Sequence, residues 1–188
     1  MAEAGEVRND ELDAEAQARR RLALGQIRQY PDPALRMQAR KIEDFDADLR
    51  RLAERMTNLM RDANGVGLAA TQVGVLRRLF VFQADPEGDP TAVVNPTLVY
   101  RGDETAEDPE GCLSLQGVQV PVSRPTSVRL EGRDLAGEAL SLELSGLAAR
   151  VAQHELDHLD GVLILDRTTE DARREALGIL RPRAVLAP

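Results

Sequence analysis

Apolar residues recur at helical spacing from Asp46 to Ala63. Leu49, Leu52, Ala53, Met56, Leu59, Met60 and Ala63 share one face, and Arg50, Arg51, Glu54 and Arg55 share the other. The pattern predicts an amphipathic helix, with Asp46 or Asp48 as its cap and Asn64-Gly65 as a left-handed stop. A second helical stripe carries Leu147, Ala148, Val151, Ala152 and Leu159, and Asp160-Gly161 follows as its stop. Between them the period shortens. Leu79 to Gln83, Thr91 to Tyr100, Val118 to Val122, Thr126 to Glu131 and Ala139 to Leu144 read as strands, the last two joined as a hairpin. Asn95-Pro96 interrupts the second of these, which is one strand or two short ones. Gly102 to Pro109 is acidic and reads as a loop, and Val162 to Leu165 as a short strand. Thr168 is placed to cap a final helix from about Thr169 to Leu180, ended by Pro182. Strands followed by a helix, with further helices at both ends, predict a single α+β domain.

Residues 1–23 are charged and alanine-rich; Glu11 to Arg21 has the makings of a surface helix but only a thin apolar stripe (Leu12, Ala16, Leu22), so we expect an N-terminal extension that is loosely docked or disordered. The single folded domain is then 24–181, and 182–188 is a tail. No internal repeat and no second domain is visible.

The second stripe contains His154-Glu155-Leu156-Asp157-His158. On a helix, residues four apart lie one turn above each other on one face. Both imidazoles can then bind one metal ion, and Glu155 can take a proton from an activated water beside it. The chain has two histidines and one cysteine, and this motif uses both histidines. Two imidazoles are too few for a stable site, and three protein ligands are usual in catalytic centres. Cys112 is the one soft ligand available, suited to Zn(II) or Fe(II). The downstream acids Asp160, Asp166, Glu170, Asp171 and Glu175 are the alternative, as in many H-E-x-x-H peptidases.

Composition narrows the function classes. The chain is 43% hydrophobic and 30% charged over 188 residues, an ordinary globular balance. A net charge of -8 argues against general binding to DNA or an anionic membrane. One cysteine makes no internal disulfide. Met1 to Asp10 lacks an apolar run, and no stretch approaches a membrane span. We therefore expect a soluble cytoplasmic protein. Lys41 is the only lysine among 24 basic residues, which points to coding bias and not to fold.

Three words stand in order: Gly65-Val66-Gly67-Leu68-Ala69-Ala70-Thr71-Gln72, then Glu110-Gly111-Cys112-Leu113-Ser114, then Gln153-His154-Glu155-Leu156-Asp157-His158. Together they closely resemble the three motifs of peptide deformylases, G-x-G-x-A-A-x-Q, E-G-C-L-S and H-E-x-D-H. The resemblance runs from about Leu24 to Arg167. It implies an α+β fold, with antiparallel or mixed sheets wrapped around the central motif helix. It implies a hydrolase that removes the formyl group from the N-terminal formyl-methionine of new proteins. The implied metal ligands are Cys112, His154 and His158, holding Fe(II) natively, with Ni(II), Co(II) or Zn(II) as substitutes. Glu155 becomes the general base. The Gln72 amide and the Leu113 N–H become donors to the oxyanion.

Substrate is expected against the backbone near Gly65, Val66 and Gly67 and near Glu110 and Gly111, added as an extended strand. Val66, Leu147 and Val151 are candidate walls for the methionine side chain. Glu110, Asp157 and Arg124 are expected to form an ion-pair network behind the metal. Two departures from the family bear on substrate preference. Pro109 stands where a second acid is frequent, and Gln119 where an arginine is frequent. Partners are N-formyl-methionyl peptides and nascent chains, handled by a monomer. Arg173, Arg174, Arg181 and Arg183 are candidates for a transient ribosome contact, although interleaved acids favour a solvated helix face. Two rivals stay open: an H-E-x-x-H peptidase with a structural cysteine, and a catalytically silent protein that binds formylated chains.

Overall fold

The computed structural model describes residues 14–181. Helix α1 spans Ala14–Leu24 and α2 spans Ala47–Asp62. The strands follow: β1 Gly67–Ala69, β2 Leu79–Phe82, β3 Thr91–Arg101, β4 Thr105–Gly111, β5 Gln119–Pro125, β6 Ser127–Arg133 and β7 Ala139–Ser145. Helix α3, Gly146–Leu159, carries the histidines, and α4 is Glu170–Leu180. Short 3₁₀ turns occupy Pro33–Arg36, Ala70–Val73 and Ile164–Asp166.

Five strands form one antiparallel sheet in the order β1-β2-β3-β6-β7, and β4 pairs with β5 in a separate two-stranded sheet. The alternation of side chains along a strand places the two helical layers. In β2, Leu79 and Val81 join α1 and α2 in one apolar cluster. Phe80 and Phe82 face the opposite way and join Val151, Ala152 and Leu159 of α3. β2 is therefore buried on both faces, which is why it reads as an unbroken apolar run. Helix α3 packs against β1, β2, β5, β6 and β7, and every residue from Ala149 to Leu159 is buried. The expected central helix is present. A third cluster, from β5, Leu35, Cys112, Leu163 to Leu165 and α4, closes the other side.

Helix α2 starts where Asp46 accepts a hydrogen bond from the Leu49 N–H at 2.9 Å. It ends at Asn64, whose φ of 57° is left-handed, as the Asn-Gly signal predicts. The β6–β7 hairpin also forms as expected.

Several expectations need correction. The extension is not loose over its last part: α1 lays Ala23 and Leu24 into the α2 cluster, and the Arg20 Nε donates to Ala63 O at 3.2 Å. Its apolar contacts fall at the end of the stripe, so the first turns look solvent-facing in sequence. Residues 1–13 and 182–188, including Pro182 and Arg183, lie outside the described residues. Gly102 to Pro109 is not a loop, since β4 begins at Thr105. Its polar residues alternate with the inward-facing Glu110, a strand pattern hidden because what points inward is charged. Asn95 does not split β3. It adopts φ 51° within a register shift and bonds Ile42 through its side chain, a bulge within one strand. Val162 to Leu165 is not a strand: Val162 and Leu163 are irregular and lead into the 3₁₀ turn Ile164–Asp166, where Asp166 accepts from the Leu163 N–H. The final helix is capped by Thr169, not Thr168. The Thr168 hydroxyl donates to Pro121 O instead.

Pro109 faces Pro121 across β4 and β5. Neither has an N–H, so the pair sits where antiparallel strands exchange no hydrogen bonds. The outer edge of β4 consequently offers a carbonyl but no donor at Pro109.

Candidate metal centre and active site

The turn after β4 delivers Cys112, and α3 delivers His154 and His158 one turn apart. Cys112 Sγ lies 3.2 Å from His158 Nε2, and His158 Nε2 lies 3.2 Å from His154 Nε2. The three ligand atoms all fall within 4.8 Å of one another, and all three residues are buried. Neighbouring ligands on one tetrahedral divalent ion stand ~3.4 Å apart, so the donors present fit a single ion. One thiolate and two imidazoles suit a borderline-soft transition metal. None of the downstream acids joins the described cluster. Asp166 instead pairs with Arg36 and Arg173, Asp160 with Arg78 and Asp171 with Arg174, so the described residues give the peptidase alternative no third ligand.

The ligands are oriented from behind. His154 Nδ1 faces Glu110 Oε2 at 3.1 Å, and the proton between them leaves Nε2 as the ligating lone pair. Arg124 grips the same carboxylate with a fork, Nε to Oε1 at 2.6 Å and Nη2 to Oε2 at 2.9 Å. Its third nitrogen reaches Asp157 Oδ2 at 2.9 Å. The expected Glu110–Arg124–Asp157 network is thus present, and it is larger than expected. Arg167 adds two bonds to Asp157, at 3.1 and 2.6 Å, and Arg150 adds one to Glu110 at 2.8 Å. Burial opposes ionisation of Glu110. The bonds from His154 and Arg124 outweigh it and hold the carboxyl well below the usual range. Burial likewise works against a charged His154, but Cys112 and Glu110 outweigh it and raise its pKa well above the usual value. For His158, burial and the neighbouring His154 push the same way, well below it.

Glu155 is buried beside its ligand neighbour, and its Oε2 has no protein hydrogen-bond partner. Burial pushes this carboxyl up to about 7, with His154 pulling the other way. Gln72 is aimed by its own amide. Its Oε1 accepts from the Ala69 N–H at 2.8 Å, so Nε2 turns to Ser114 Oγ at 3.1 Å and Cys112 Sγ at 3.7 Å. Ser114 in turn donates its backbone N–H to Cys112 Sγ at 3.4 Å. Leu113 is held through its carbonyl, which accepts from Gln29 Nε2 at 2.9 Å. Among the described residues no acceptor takes the Leu113 N–H.

The substrate candidates divide. Val66, Leu147 and Val151 do share one apolar cluster. Gly65 and Gly67 border the site: a Cβ at Gly65 would stand 2.6 Å from Leu113 Cδ1, and one at Gly67 2.3 Å from Glu155 Oε1. The Glu110 side chain is committed to arginines and His154, and its main chain faces Val120 in the ladder. Gly111, one residue on, turns its main chain outward.

Sequence reasoning missed several contributors. Main-chain bonds from Arg28 to Gln72 O and from Tyr30 to Ser114 O strap the first two motifs together. The Thr71 hydroxyl donates to His158 O at 3.1 Å. Arg150 had a readable signal, a charge four residues before His154 on the same helix face. Gln29 had none, because its partner Leu113 is far away in sequence, and Arg167 had none, because no helix or strand spacing links it to Asp157.

Comparison with known proteins agrees with this geometry. A family described as polypeptide deformylase matches residues 24–174. A peptide deformylase 1 from Corynebacterium efficiens is 45% identical over 157 residues, covering 82% of this chain and 93% of that protein. The crystal structure of a plant peptide deformylase 1B superposes with a TM-score of 0.79 at 42% identity, covering 82% of this chain and 88% of that one. The Thermotoga maritima peptide deformylase gives 0.73 at 43% identity, covering 76% and 96%. With its three motifs gathered at one buried cluster of metal ligands, the chain belongs to the polypeptide deformylase family and is a metal-dependent hydrolase.

Proposed function

We propose that the chain removes the N-formyl group from the formyl-methionine of newly made proteins, releasing formate, at the Cys112–His154–His158 centre. The names of its relatives support the reaction. The observation that carries the site is the buried Glu155 carboxyl, with one unpartnered oxygen, beside the three ligands.

A divalent metal held by these residues supplies Lewis acidity, which activates water near neutral pH and polarises a carbonyl oxygen. Glu155 accepts the proton of the attacking water as the water oxygen bonds to the formyl carbon. Charge then develops on the formyl oxygen. Gln72 Nε2 and the Leu113 N–H are the donors for it, each worth roughly 3 kcal/mol in comparable sites. Glu155 returns its proton to the departing amine as the C–N bond breaks. The products are formate and a free N-terminus. Fe(II) is the native metal in this reading, with Ni(II), Co(II) or Zn(II) as substitutes that the same donor set accepts.

The nascent peptide adds as a strand beside Gly65 to Gly67 and Gly111, with its methionine among Val66, Leu147 and Val151. In this reading the enzyme works as a monomer in the cytoplasm. A transient ribosome contact through α4 rests on Arg181 and beyond. Arg173 is engaged by Leu165 O and Asp166, and Arg174 by Asp171. Among the described residues no helix is long and apolar enough to cross a membrane.

Formate release from a short formyl-Met peptide tests the reading, using anaerobically metal-loaded protein and a Glu155→Ala variant. Rapid release by the parent and near-silence of the variant are expected. No release from folded, metal-loaded parent protein overturns it.

A further inference from the structure

Arg150 is buried and takes no part in the steps above. It lies one turn before His154 on α3, so the two side chains share a face. Its Nη1 donates to Glu110 Oε1 at 2.8 Å and to Val122 O at 2.9 Å. Its Nη2 donates to Ala106 O at 2.8 Å and to Asp108 Oδ2 at 3.0 Å. The other oxygen of the same Glu110 carboxylate meets His154 Nδ1. One carboxylate therefore engages two successive turns of the metal-bearing helix.

The strand geometry explains the choice of acids. Asp108 and Glu110 are two apart on β4 and point to one face, towards α3. Pro109 lies between them on the other face. The residue type at 109 thus leaves the arginine's carboxylate partners intact.

We propose that Arg150 is a positioning residue for the metal centre, acting through Glu110 on His154. Arg124 forks onto this carboxylate but leaves Oε1 with a single donor, Nε, while Oε2 has two, Arg124 Nη2 and His154 Nδ1. Arg150 supplies the second donor to Oε1 and braces the forked carboxylate from α3 itself, and with it the His154 ring that the carboxylate holds. It also shares the negative charge of Glu110 between two guanidinium groups, which tempers the carboxylate's pull on the Nδ1 proton. Groups that hydrogen-bond a ligating histidine from behind set its direction and basicity, and losing one costs about 10–100-fold in metal affinity or activity. The alternative is a tether: Arg150 merely pins the β4–β5 hairpin to α3.

The two are separated by readouts that do not depend on turnover. Co(II) is loaded into the parent, Arg150→Gln, Arg150→Lys and Asp108→Asn proteins. Its affinity is measured by competition with a chelator, and its visible absorption reports ligand geometry. We expect Arg150→Gln to bind Co(II) at least about 10-fold more weakly, with altered bands. Arg150→Lys keeps a charge but cannot reach Glu110 and both carbonyls together, so it falls between Gln and parent. Asp108→Asn, which spares the bond to Glu110, keeps parental affinity and bands and loses only thermal stability. Parental affinity and bands in Arg150→Gln, with a lowered melting temperature, overturn the proposal in favour of the tether. If the Gln protein does not fold, parental values in Arg150→Lys overturn it equally. The inference rests on the metal centre of the proposed function. Formate release by the parent tests that reading separately, so the two can fail independently.

Discussion

The Glu155 carboxylate lies directly against the Cα of Gly67. A methyl group there would stand 2.3 Å from Oε1 and 2.8 Å from the carboxyl carbon. The glycine is required by this approach and not by its backbone angle, so the first motif shapes the base of the third. Gly67→Ala must push the carboxylate aside while leaving Cys112, His154 and His158 in place. A misplacement of this size lowers kcat on the order of 100-fold. Metal content should match the parent. Unchanged turnover in a folded Gly67→Ala protein would show that the carboxylate position is not what limits the reaction.

Arg124 holds two buried carboxylates at once. Removing one partner of a buried ion pair strands the other, at a cost of about 3–5 kcal/mol. Arg150 and Arg167 still compensate Glu110 and Asp157, so Arg124→Ala should fall near the lower end, about 3 kcal/mol. Urea unfolding of the metal-loaded protein measures it. A loss under 1 kcal/mol would mean the remaining arginines carry the network alone.

Metal ligands bind deprotonated, so binding releases protons and tightens as pH rises. His154, whose proton is otherwise held strongly, must surrender it at Nε2. Calorimetry of Ni(II) binding in buffers of different ionisation enthalpy should show net proton release at pH 7. A buffer-independent heat sinks this expectation. Chelation should silence the enzyme, and Cys112→Ala should fail to retain metal. With Fe(II), air should erode activity through oxidation of the metal or of Cys112.

Asp46 caps α2, and its pKa is lowered first of all by the Leu49 N–H. A depressed folded pKa means stability that is present above the unfolded value, about 4. It is lost as pH falls through the lower folded value. Asp46→Ala should therefore melt earlier than the parent at pH 7, and the gap should narrow below about pH 4. Asn also caps helices but does not titrate, so Asp46→Asn should show no such narrowing. A gap that stays constant down to pH 2 contradicts the capping assignment.

What the chain reveals on its own is whatever depends on near neighbours. The stripe of α2 and its Asn64 stop are legible because helix geometry links residues three and four apart. The pairing of His154 with His158 is legible for the same reason. Cys112 became a ligand only through the resemblance of three separated words, because no local rule ties it to a helix 42 residues downstream. Tertiary structure alone decided the rest. It turned the acidic run before Gly111 into β4, because Glu110 is buried against arginines where a hydrophobic residue is the usual signal. It docked α1, whose apolar contacts are few and lie at one end. It set Gly67 against Glu155 and Arg150 against Glu110. In each case a polar or small residue owes its place to a partner brought near by folding, and a charge shows in sequence neither its burial nor its partner.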